Sequence, residues 1–359
     1  MNRSFLNIDW LLLTPVFIVL IISLVTLFSI DSSYFTNQLI FVFISIFAFL
    51  FFSHFNYKVL RLYSLPIYVL SIVALLLVFF LGIESRGSLR WIEVLGLRVQ
   101  FSEILRPFLA ISLASFIVDK KKLDFNSFFQ VLILLAPVVF LIFLQPDLGD
   151  AVIYVSVVLV TLFYFGFSLK YFLASFLPFF LAIPVLWNFL HDYQKQRILT
   201  FFNPGKDPLG TSYNVIQSII AVGSGMIIGK GLGLGTQSGL KFLPERHTDF
   251  IFATISEQLG FVGAVIILIC FGYFLYRIYK TSDNLDDKFA KTYCVIVFFV
   301  FLVQVFVNIG MNIGILPIVG VTLPFVSYGG SSLLSNFIFL GFLASIRKTF
   351  KNDTVLEIK

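Results

Sequence analysis

The chain has 359 residues, of which 59% are hydrophobic and only 12% are charged, and its formal net charge is +6. A soluble protein needs about 25% charged residues to cover its surface, so this composition excludes cytosolic enzymes, secreted disulfide scaffolds and soluble DNA-binding factors. It predicts an all-α, polytopic integral membrane protein with a single transmembrane domain over residues 1–359. No nucleic acid is expected as a partner, because net positive charge alone does not indicate one.

We predict ten transmembrane helices, each of which needs about 20 mainly apolar residues. Seven uncharged stretches meet this length, namely 10–30, 32–57, 62–83, 125–146, 151–169, 171–191 and 258–276. The uncharged stretch 292–346 is long enough for two more, separated around Pro317–Pro324. The remaining helix, fourth in chain order, contains the apolar run 107–118. It is long enough only if it begins near Phe101 and includes Glu103 and Arg106.

The distribution of basic residues predicts which side of the membrane each helix end faces, because Lys and Arg accumulate in cytoplasmic segments. With both termini in the cytoplasm, the cytoplasmic segments contain 15 of the 25 Lys and Arg residues. The long segment 191–248 then lies outside the cytoplasm, between the seventh and eighth helices. Its uncharged part, 208–229, is too polar for a lipid-facing helix, and we expect an interfacial or re-entrant element there.

Charged residues near the ends of the predicted helices are candidate functional groups, because burying a charge is costly. Glu103 and Arg106 are three residues apart and can pair on one helix face, either for function or only to fix helix packing. Asp147 follows the fifth helix within the segment 145–149, which reads Gln-Pro-Asp-Leu-Gly. It is either functional or an N-cap of the sixth helix, a role that Asp150 could share.

The loop 191–248 contains nine glycines and has a net charge of +3. Such a loop suits an anionic head group, for example a lipid-linked pyrophosphate, because it offers backbone N–H donors and cations. The alternative is a plain connector, which is uncommon at this length. The glycine-rich run 223–235 does not match a phosphate-binding P-loop, since Gly rather than Ser or Thr follows Lys230.

Asp249 lies where this polar loop meets the eighth helix, among aromatic residues. A partly desolvated carboxylate binds protons more tightly, which suits a general base. The alternative is a helix N-cap, a role for which Thr248 competes. Lys241 and Arg246 are among the basic residues of this loop that could contact an anionic head group. Glu257 lies two helical turns beyond Asp249, and it could face the same cavity.

The sequence contains no recognisable pattern for other common catalytic groups. Cys270 and Cys294 lie in apolar stretches and are expected to be small buried hydrophobic residues. There is no metal-binding Asp-x-Asp or HExxH pattern, no Cys-x-x-Cys pair and no Ser/His/Asp constellation. A divalent cation (Mg²⁺ or Mn²⁺) is a candidate cofactor that would neutralise pyrophosphate charge, although no residue pattern marks a site for it.

Several stretches, in order along the whole chain, resemble the SEDS family (shape, elongation, division and sporulation). They are Arg90-Trp91, Ser102-Glu103 with Arg106, and the segments 145–149, 242–252 and 324–332. Each stretch is modest alone, but their order and their placement relative to the helices are specific. The segments 203–204, 207–210, 217–218, 235–238, 242–245 and 308–317 resemble the elongation branch of the family more than the division branch.

The resemblance implies a peptidoglycan glycosyltransferase that polymerises lipid II into β-1,4 glycan strands, with inversion, and releases undecaprenyl pyrophosphate. In that reaction Arg246, Lys241 or a divalent cation could stabilise the leaving pyrophosphate. Asp249 matches the family's essential acid. Glu103 and Arg106 match its Glu/Lys pair, except that Arg replaces Lys, and Asp150 stands where the family often has Thr. The other residues expected to bind substrate or to support the site are Arg90, Trp91, Asp147, Lys241, Glu245, Arg246, His247, Glu257 and Ser327.

The resemblance also implies a location in the bacterial cytoplasmic membrane, with catalysis on the outer face. Implied partners are lipid II, a class B penicillin-binding protein that crosslinks the product, elongation-complex proteins of the Mre type, and membrane lipids. Two alternatives stay open, a lipid II flippase and the division paralogue. A flippase is expected to carry charges near the bilayer midplane, whereas the candidate acids lie at the predicted outer ends of the helices, which favours the polymerase.

Overall fold

The computed structural model of the protein describes residues 9–85, 88–94, 97–120, 122–202 and 212–357. Within these ranges the chain forms helices and one small sheet. The helices are α1 (Trp10–Ile30), α2 (Ser32–Ser53), α3 (Tyr57–Leu62), α4 (Ser64–Leu81), α5 (Phe101–Ile104), α6 (Arg106–Val118), α7 (Phe125–Leu144), α8 (Leu148–Tyr164), α9 (Leu169–Phe189), α10 (Asp192–Phe202), α11 (Tyr213–Ser224), α12 (Thr236–Gly239), α13 (Ile251–Asp283), α14 (Lys288–Asn312) and α15 (Gly330–Glu357). The strands are β1 (Ile83–Ser85), β2 (Ser88–Val94) and β3 (Leu97–Gln100).

Ten of these helices correspond to the ten predicted spans. Within the described part of the chain, seven helices are long and apolar enough to cross a membrane, namely α1, α2, α4, α7, α13, α14 and α15. α6 and α8 are shorter apolar helices, and α9 has 21 residues over the predicted seventh span. The prediction of an all-α, polytopic membrane fold is therefore confirmed. The fourth predicted helix is divided at Leu105, so that Glu103 lies on α5 and Arg106 begins α6.

Aspartates placed just before apolar runs determine where several helices begin. Asp31, Asp124 and Asp287 are the N-caps of α2, α7 and α14, and each carboxylate accepts a bond from a following backbone N–H at 2.7–2.9 Å. Such a cap satisfies a donor that has no partner within the helix. The same residues interrupt the uncharged stretches from which the spans were predicted.

The core of the bundle is formed around α14 and α15. α2 packs along α15, α13 packs on α14 and α1, and α6 and α8 pack on α14. Large aromatic side chains fill the interior, including the fully buried Tyr293, Phe301, Phe325 and Phe339. Cys270 and Cys294 are buried free thiols in this interior, as the sequence predicts.

A three-stranded antiparallel sheet between α4 and α5 was not among the elements predicted from the sequence. Its strands follow chain order, and Trp91 of β2 pairs with Gln100 of β3. β3 runs directly into α5, so the sheet stands at the end of the bundle where the fourth span begins. This connection holds the side chain of Gln100 and the neighbouring Arg90 beside the ends of the helices.

The two ends of the bundle carry different charged groups. At one end Asp9 pairs with Arg277 at 2.8 Å and also contacts Arg347. At the other end, called the site end below, α1 ends, α13 begins, and Asp249 and Asp147 lie in the connections that precede α13 and α8. α1 therefore runs toward the site end, and α8 and α13 run away from it, in agreement with the predicted topology.

The loop before α13 folds back against that helix. α11 packs on α13 and α14 through Val215, Ser218 and Ala221. Residues 226–231 then follow the backbone of residues 257–262 and form four hydrogen bonds with it at 2.8–3.1 Å. Residues 203–211, which carry two of the family-like segments, lie outside the described residues.

This contact coincides with a break in α13. Gly260 has φ 66° and ψ −163°, a conformation that is essentially restricted to glycine. A Cβ at Gly260 would collide with the backbone N of Gly229 and with the carbonyl O of Ile227. Glycine is therefore required here both by its own backbone and by the loop that packs on it.

We expect Gly260→Ala to lower the free energy of unfolding by at least about 2 kcal/mol, because the strained backbone alone costs of order 1–3 kcal/mol and the clash adds to it. The control is Gly272→Ala in the same helix, where a Cβ would meet nothing within 4 Å. There the expected change is neutral or stabilising, since alanine favours helix. Thermal unfolding of the purified protein in detergent measures both, and equal stability of the two variants would contradict the account.

Candidate active site

Asp249 lies in the short connection that precedes α13. The N-cap of α13 is Phe250, whose side chain makes no capping hydrogen bond, and the first-turn N–H of Ala253 donates to Asn312 of α14. The carboxylate of Asp249 therefore does not serve as the helix cap, which was the alternative to a chemical role. Asp249 as a whole is half-buried.

The backbone around Asp249 is held at three successive peptide carbonyls. The carbonyl of His247 accepts a bond from the N–H of Tyr328 at 2.9 Å. The carbonyl of Thr248 accepts from the hydroxyl of Ser327 at 2.8 Å. The carbonyl of Asp249 itself accepts from the side-chain amides of two asparagines on α14. The predicted supporting residues His247 and Ser327 thus position this segment.

The two asparagines tie the segment to its neighbours. Asn312 donates to the carbonyl of Asp249 at 2.9 Å, while its amide oxygen accepts from the N–H of Ala253 at 3.1 Å. Asn308 donates to Asp249 at 3.2 Å and to the carbonyl of Val321 at 2.7 Å. Since both asparagines are fully buried, these bonds are protected from competition with water. The backbone of Asp249 is thereby fixed relative to α14 and to the segment 317–324.

The carboxylate of Asp249 faces a guanidinium across a glycine. A Cβ at Gly320, whose φ is +75°, would lie 3.6 Å from Oδ2 of Asp249 and 3.7 Å from Nη1 of Arg197. Because glycine has no side chain, the space that these two groups share stays open. Arg197 lies on α10, which is held at the site end by a bond from the hydroxyl of Tyr193 to the carbonyl of Pro146 at 3.0 Å.

The electrostatic surroundings of Asp249 favour its protonated form more than water does. Burial raises the pKa of Asp249 to about 6, and the nearby charge of Glu245 adds to this effect. The positive charges of Arg197 and Arg90 act in the opposite direction. A carboxylate with a pKa near the working pH can both accept and release a proton, which suits a general base.

Asp147 lies at the centre of a second group of polar contacts. Its Oδ1 accepts from the backbone N–H of Asp150 at 3.2 Å, so it is indeed the N-cap of α8. Its Oδ2 accepts from the amide of Gln100 at 2.5 Å and pairs with Arg90 at 3.4 Å. The cap and the functional interpretation are therefore compatible, because the two oxygens have different partners.

Glu103, Arg106 and Asp150 form a buried charged cluster. Arg106 lies 3.6 Å from Oε1 of Glu103 and pairs more closely with Asp150, and all three side chains are almost fully buried. Asp150 therefore pairs with a cation and does not share in capping. Thr322 donates to Glu103 at 3.5 Å, which links this cluster to the segment 317–324 that contacts Asp249.

Three other predicted residues, Lys241, Arg246 and His247, lie in the segment that leads into Asp249. His247 stacks on Tyr34, with ring centroids 4.2 Å apart. The carbonyl of Arg246 accepts from the hydroxyl of Thr254 at 3.0 Å. Lys241 has φ +64° and is exposed at the protein surface.

Two further predicted residues flank these groups. Glu245 has φ +49°, and its carboxylate accepts from the hydroxyl of Thr248 at 3.2 Å. Trp91 lies next to Arg90 on β2, with the guanidinium 5.8 Å from its ring centroid.

Glu257 does not face Asp249. Its carboxylate is fully buried and accepts bonds from the backbone N–H groups of Gln237 and Ser238, at 2.8 and 2.9 Å, and from the hydroxyl of Ser238 at 2.7 Å. It also pairs with Lys230 at 3.2 Å. The two-turn spacing places it deeper in α13 as expected, but the loop 230–238 covers it. Its contribution to the site is to hold that loop.

Four residues that contact the site were not selected from the sequence. Arg197 and Gln100 sit in polar segments where no pattern distinguishes them from other surface residues. Asn308 and Asn312 did carry a signal, because they are polar residues four apart within an apolar span, and polar groups there require partners. Their spacing places both amides on one face of α14.

A divalent metal has no ready-made site among the described residues. No group of three or more His, Cys, Asp or Glu side chains is arranged to hold an ion there. Among the described residues, the cations that lower the pKa of Asp249 are the guanidinium groups of Arg197 and Arg90. The residues present therefore fit charge neutralisation by arginine better than metal coordination.

The buried cluster predicts a large loss of stability when its cation is removed. We expect Arg106→Gln to cost about 3–5 kcal/mol, since two carboxylates are left buried without a partner, and Asp150→Asn in the same chain to recover part of the loss. The control is Arg61→Gln, whose pair with Asp119 is exposed and is worth about 1 kcal/mol or less. Denaturant unfolding in mixed micelles measures each, and equal costs for Arg106→Gln and Arg61→Gln would contradict the pairing.

The sequence is similar to curated proteins over most of its length. It is 40% identical over 284 residues to the peptidoglycan glycosyltransferase MrdB of Escherichia coli (strain K12), covering 78% of this chain and 76% of that one. It is 36% identical over 314 residues to a probable peptidoglycan glycosyltransferase FtsW of Wigglesworthia glossinidia brevipalpis, covering 86% and 82%. It is 34% identical over 332 residues to the stage V sporulation protein E of Bacillus subtilis (strain 168), covering 89% and 88%.

The fold is also similar to solved structures. A chain from a study of how a peptidoglycan synthase complex coordinates polymerisation and crosslinking superposes with a TM-score of 0.82 at 30% identity, covering 96% of this chain and 98% of that one. The rod shape determining protein RodA of Thermus thermophilus superposes with a TM-score of 0.73 at 25% identity, covering 96% and 98%. A family model described as “Cell cycle protein” (FTSW_RODA_SPOVE) matches residues 3–352. The chain therefore belongs to the FtsW, RodA and SpoVE family, the SEDS family to which its sequence motifs point.

Proposed function

We propose that this protein is a peptidoglycan glycosyltransferase that polymerises lipid II into β-1,4 glycan strands. The observation that carries the proposal is the carboxylate of Asp249, which has a pKa of about 6 and lies beside Gly320 together with the guanidinium of Arg197. The names of the relatives, peptidoglycan glycosyltransferase MrdB and FtsW, support the same activity. The overall similarity to RodA supports a role in cell elongation.

The reaction requires one base. Asp249 accepts the proton of the acceptor sugar's 4-hydroxyl as that oxygen forms a bond to the anomeric carbon of the donor sugar. The bond from this carbon to the pyrophosphate oxygen breaks, and undecaprenyl pyrophosphate leaves with the electron pair. A single displacement converts the α-linked donor to a β-1,4 bond, and no covalent enzyme intermediate is needed. Fixing the backbone on both sides of Asp249 keeps the base in place during this step.

The leaving pyrophosphate gains negative charge, and nearby cations lower the energy of that state. The sequence suggested Lys241 and Arg246 for this role. Arg197 and Arg90 are better candidates, since their charges act on Asp249 itself. Arg90 is partly exposed and pairs with Asp147 at 3.4 Å. Its guanidinium can therefore contact a ligand on its exposed side while the ion pair holds it in position.

We place the reaction on the outer face of the bacterial cytoplasmic membrane, with both termini in the cytoplasm. The excess of Lys and Arg in segments at the end opposite to the site supports this orientation. A site at the ends of the spans suits a substrate whose lipid tail stays in the bilayer while its sugars lie in water. A flippase is less well supported, because the charged groups described above lie toward the two ends of the bundle and do not line a path through the bilayer.

We also propose that a crosslinking enzyme, a class B penicillin-binding protein, is the partner. The similarity to a chain from a peptidoglycan synthase complex supports this. Elongation-complex proteins of the Mre type are proposed from the family resemblance.

The catalytic proposal predicts that Asp249→Asn lowers polymerisation by about 10²–10⁴-fold, the usual contribution of a general base, without loss of stability. Asn retains the shape of Asp but cannot accept the proton. The assay is purified protein with lipid II, scored for glycan chains. Asp192→Asn, which removes an exposed acid of the same loop, is the control and should act like wild type. A near-normal rate for Asp249→Asn would exclude the base role, and absence of polymer from wild type with its partner would exclude the activity.

The partner proposal predicts that Glu103→Gln alters stimulation by the transpeptidase more than it alters KM for lipid II. Glu103 is linked through Thr322 to the segment that contacts Asp249, so a shift of the cluster can reach the base without touching substrate. Glu93→Gln, an exposed acid on β2, is the matched control. Polymerisation is measured for each variant with and without the partner over a range of lipid II concentrations. If the partner stimulates polymerisation by Glu103→Gln as strongly as by wild type, the cluster has only a structural role.

A further inference from the structure

The loop between α11 and α12 presents large apolar side chains at its surface. Met226, Ile227 and Ile228 are consecutive and are 78%, 69% and 81% exposed. Single exposed apolar residues are normal on proteins, but contiguous patches of this kind mark contacts with other molecules or with lipid. The reaction proposed above makes no use of these three side chains.

The backbone of this tip is fixed in place. The N–H groups of Phe261 and Val262 donate to the carbonyls of Met226 and Ile227, at 2.8 and 3.1 Å, on the N-terminal side of the tip. On its C-terminal side, the N–H groups of Lys230 and Gly231 donate to the carbonyls of Glu257 and Gln258, at 2.9 and 3.0 Å. The three apolar side chains are therefore held outward by a clamp at both ends.

Glycines allow this clamp to close. A Cβ at Gly225 or Gly229 would collide with the backbone of Ser256 or Gln258. Inside the loop, the carboxylate of Glu257 binds Lys230 at 3.2 Å, so the cation of this segment is drawn inward, away from the tip. No Asp, Glu, Lys or Arg occurs between residues 212 and 229, so the outward surface carries no formal charge.

The clamp also defines the height of the tip along the bundle. Phe261 and Val262, to which the tip is bonded, are 66% and 47% exposed and are among the first outward-facing residues of the spanning helix α13. A Cβ at Gly233, further along the loop, would lie 3.6 Å from the carbonyl of Ser29 in the last turn of α1. Next to Ser29, Phe28 is 63% exposed. The tip is therefore bonded to α13 at the height of its first outward-facing apolar residues, and the loop that follows the tip passes the last turn of α1.

The apolar surface continues from the tip onto α11. Ile219 and Ile220, in the second half of α11, are 44% and 43% exposed and lie a few residues before the tip. The opposite side of α11, with Val215, Ser218 and Ala221, is buried against α13 and α14. α11 and the tip thus form one amphipathic unit, which is the pattern of an element lying in the membrane interface.

We propose that the tip Met226–Ile228 inserts into the bilayer and contacts the acyl chains of the leaflet at the site end. Lipid, rather than a second protein, is the occupant because the patch is continuous with the outward face of α13 and is bonded to that helix at the height of its first outward-facing apolar residues. The insertion anchors the loop whose last residues lead into Asp249, and it holds the site at the membrane surface. It does not depend on the reaction proposed above.

The test is nitroxide labelling of Ile228→Cys in a chain whose native thiols are removed by Cys270→Ala and Cys294→Ala. The labelled protein is reconstituted in phosphatidylglycerol and phosphatidylethanolamine vesicles without any partner. Collision with oxygen, which concentrates in lipid, is compared with collision with a water-soluble nickel chelate. Ile269→Cys, at a 64% exposed position within α13, is the lipid reference, and Glu93→Cys, on the surface of β2, is the water reference.

The expected oxygen-to-nickel ratio at position 228 is several-fold above that at Glu93→Cys and approaches that at Ile269→Cys. A ratio equal to that of Glu93→Cys would place the tip in water and overturn the proposal. Low collision with both reagents would mean that protein, such as a second copy of the chain, covers the tip, and would overturn it as well. Ile227→Cys repeats the measurement independently, and size-exclusion profiles of both variants check that the fold is intact.

Discussion

The structure depends on three consecutive peptide carbonyls, those of His247, Thr248 and Asp249, each held by a donor from another part of the chain. The donors come from α14 and from the segment before α15, so the chain that enters α13 is fixed between two neighbouring spans. A buried carbonyl without a hydrogen-bond partner would cost about 1–3 kcal/mol, so each of these bonds helps to stabilise the fold. With its backbone held, Asp249 can point a carboxylate toward Gly320 without needing a hydrogen bond that would lower its basicity.

Charge at the site end is organised around two arginines. Arg90 forms an ion pair with Asp147, and Arg106 forms ion pairs with Glu103 and Asp150. Two departures from the family-like pattern, Arg106 in place of Lys and Asp150 in place of Thr, meet each other in space. A guanidinium has five N–H donors in a fixed plane, whereas an ammonium has three on a flexible stem. Glu103 and Asp150 both contact Nη2 of Arg106, so the two departures are paired with each other in the structure.

Much of the fold could be predicted because burial in lipid imposes a simple rule on sequence. Charge-free runs gave ten spans, and aspartates at their borders became caps, as at Asp31 and Asp287. The sequence marks Asp249 as a candidate functional residue because a charge at the border of a span carries a free-energy cost. The buried position of the Glu257 carboxylate could not be predicted, because it depends on a glycine-rich loop that folds back over it. Arg197 was also beyond prediction, because its position comes from how α10 docks on the segment at Pro146.

The central claim is that Asp249 acts as a base whose proton affinity is set by burial and opposed by Arg197. The most direct measurement is the pH dependence of kcat/KM for glycan polymerisation by wild type and by Arg197→Gln. A base must be ionised, so the wild-type rate should rise through an apparent pKa of about 6 and fall about tenfold per pH unit below it. Arg197 lowers the pKa of Asp249, so its removal should move the midpoint to higher pH. A wild-type rate that is flat from about pH 5 to about pH 7, or a midpoint that Arg197→Gln leaves unchanged or moves to lower pH, would contradict the account.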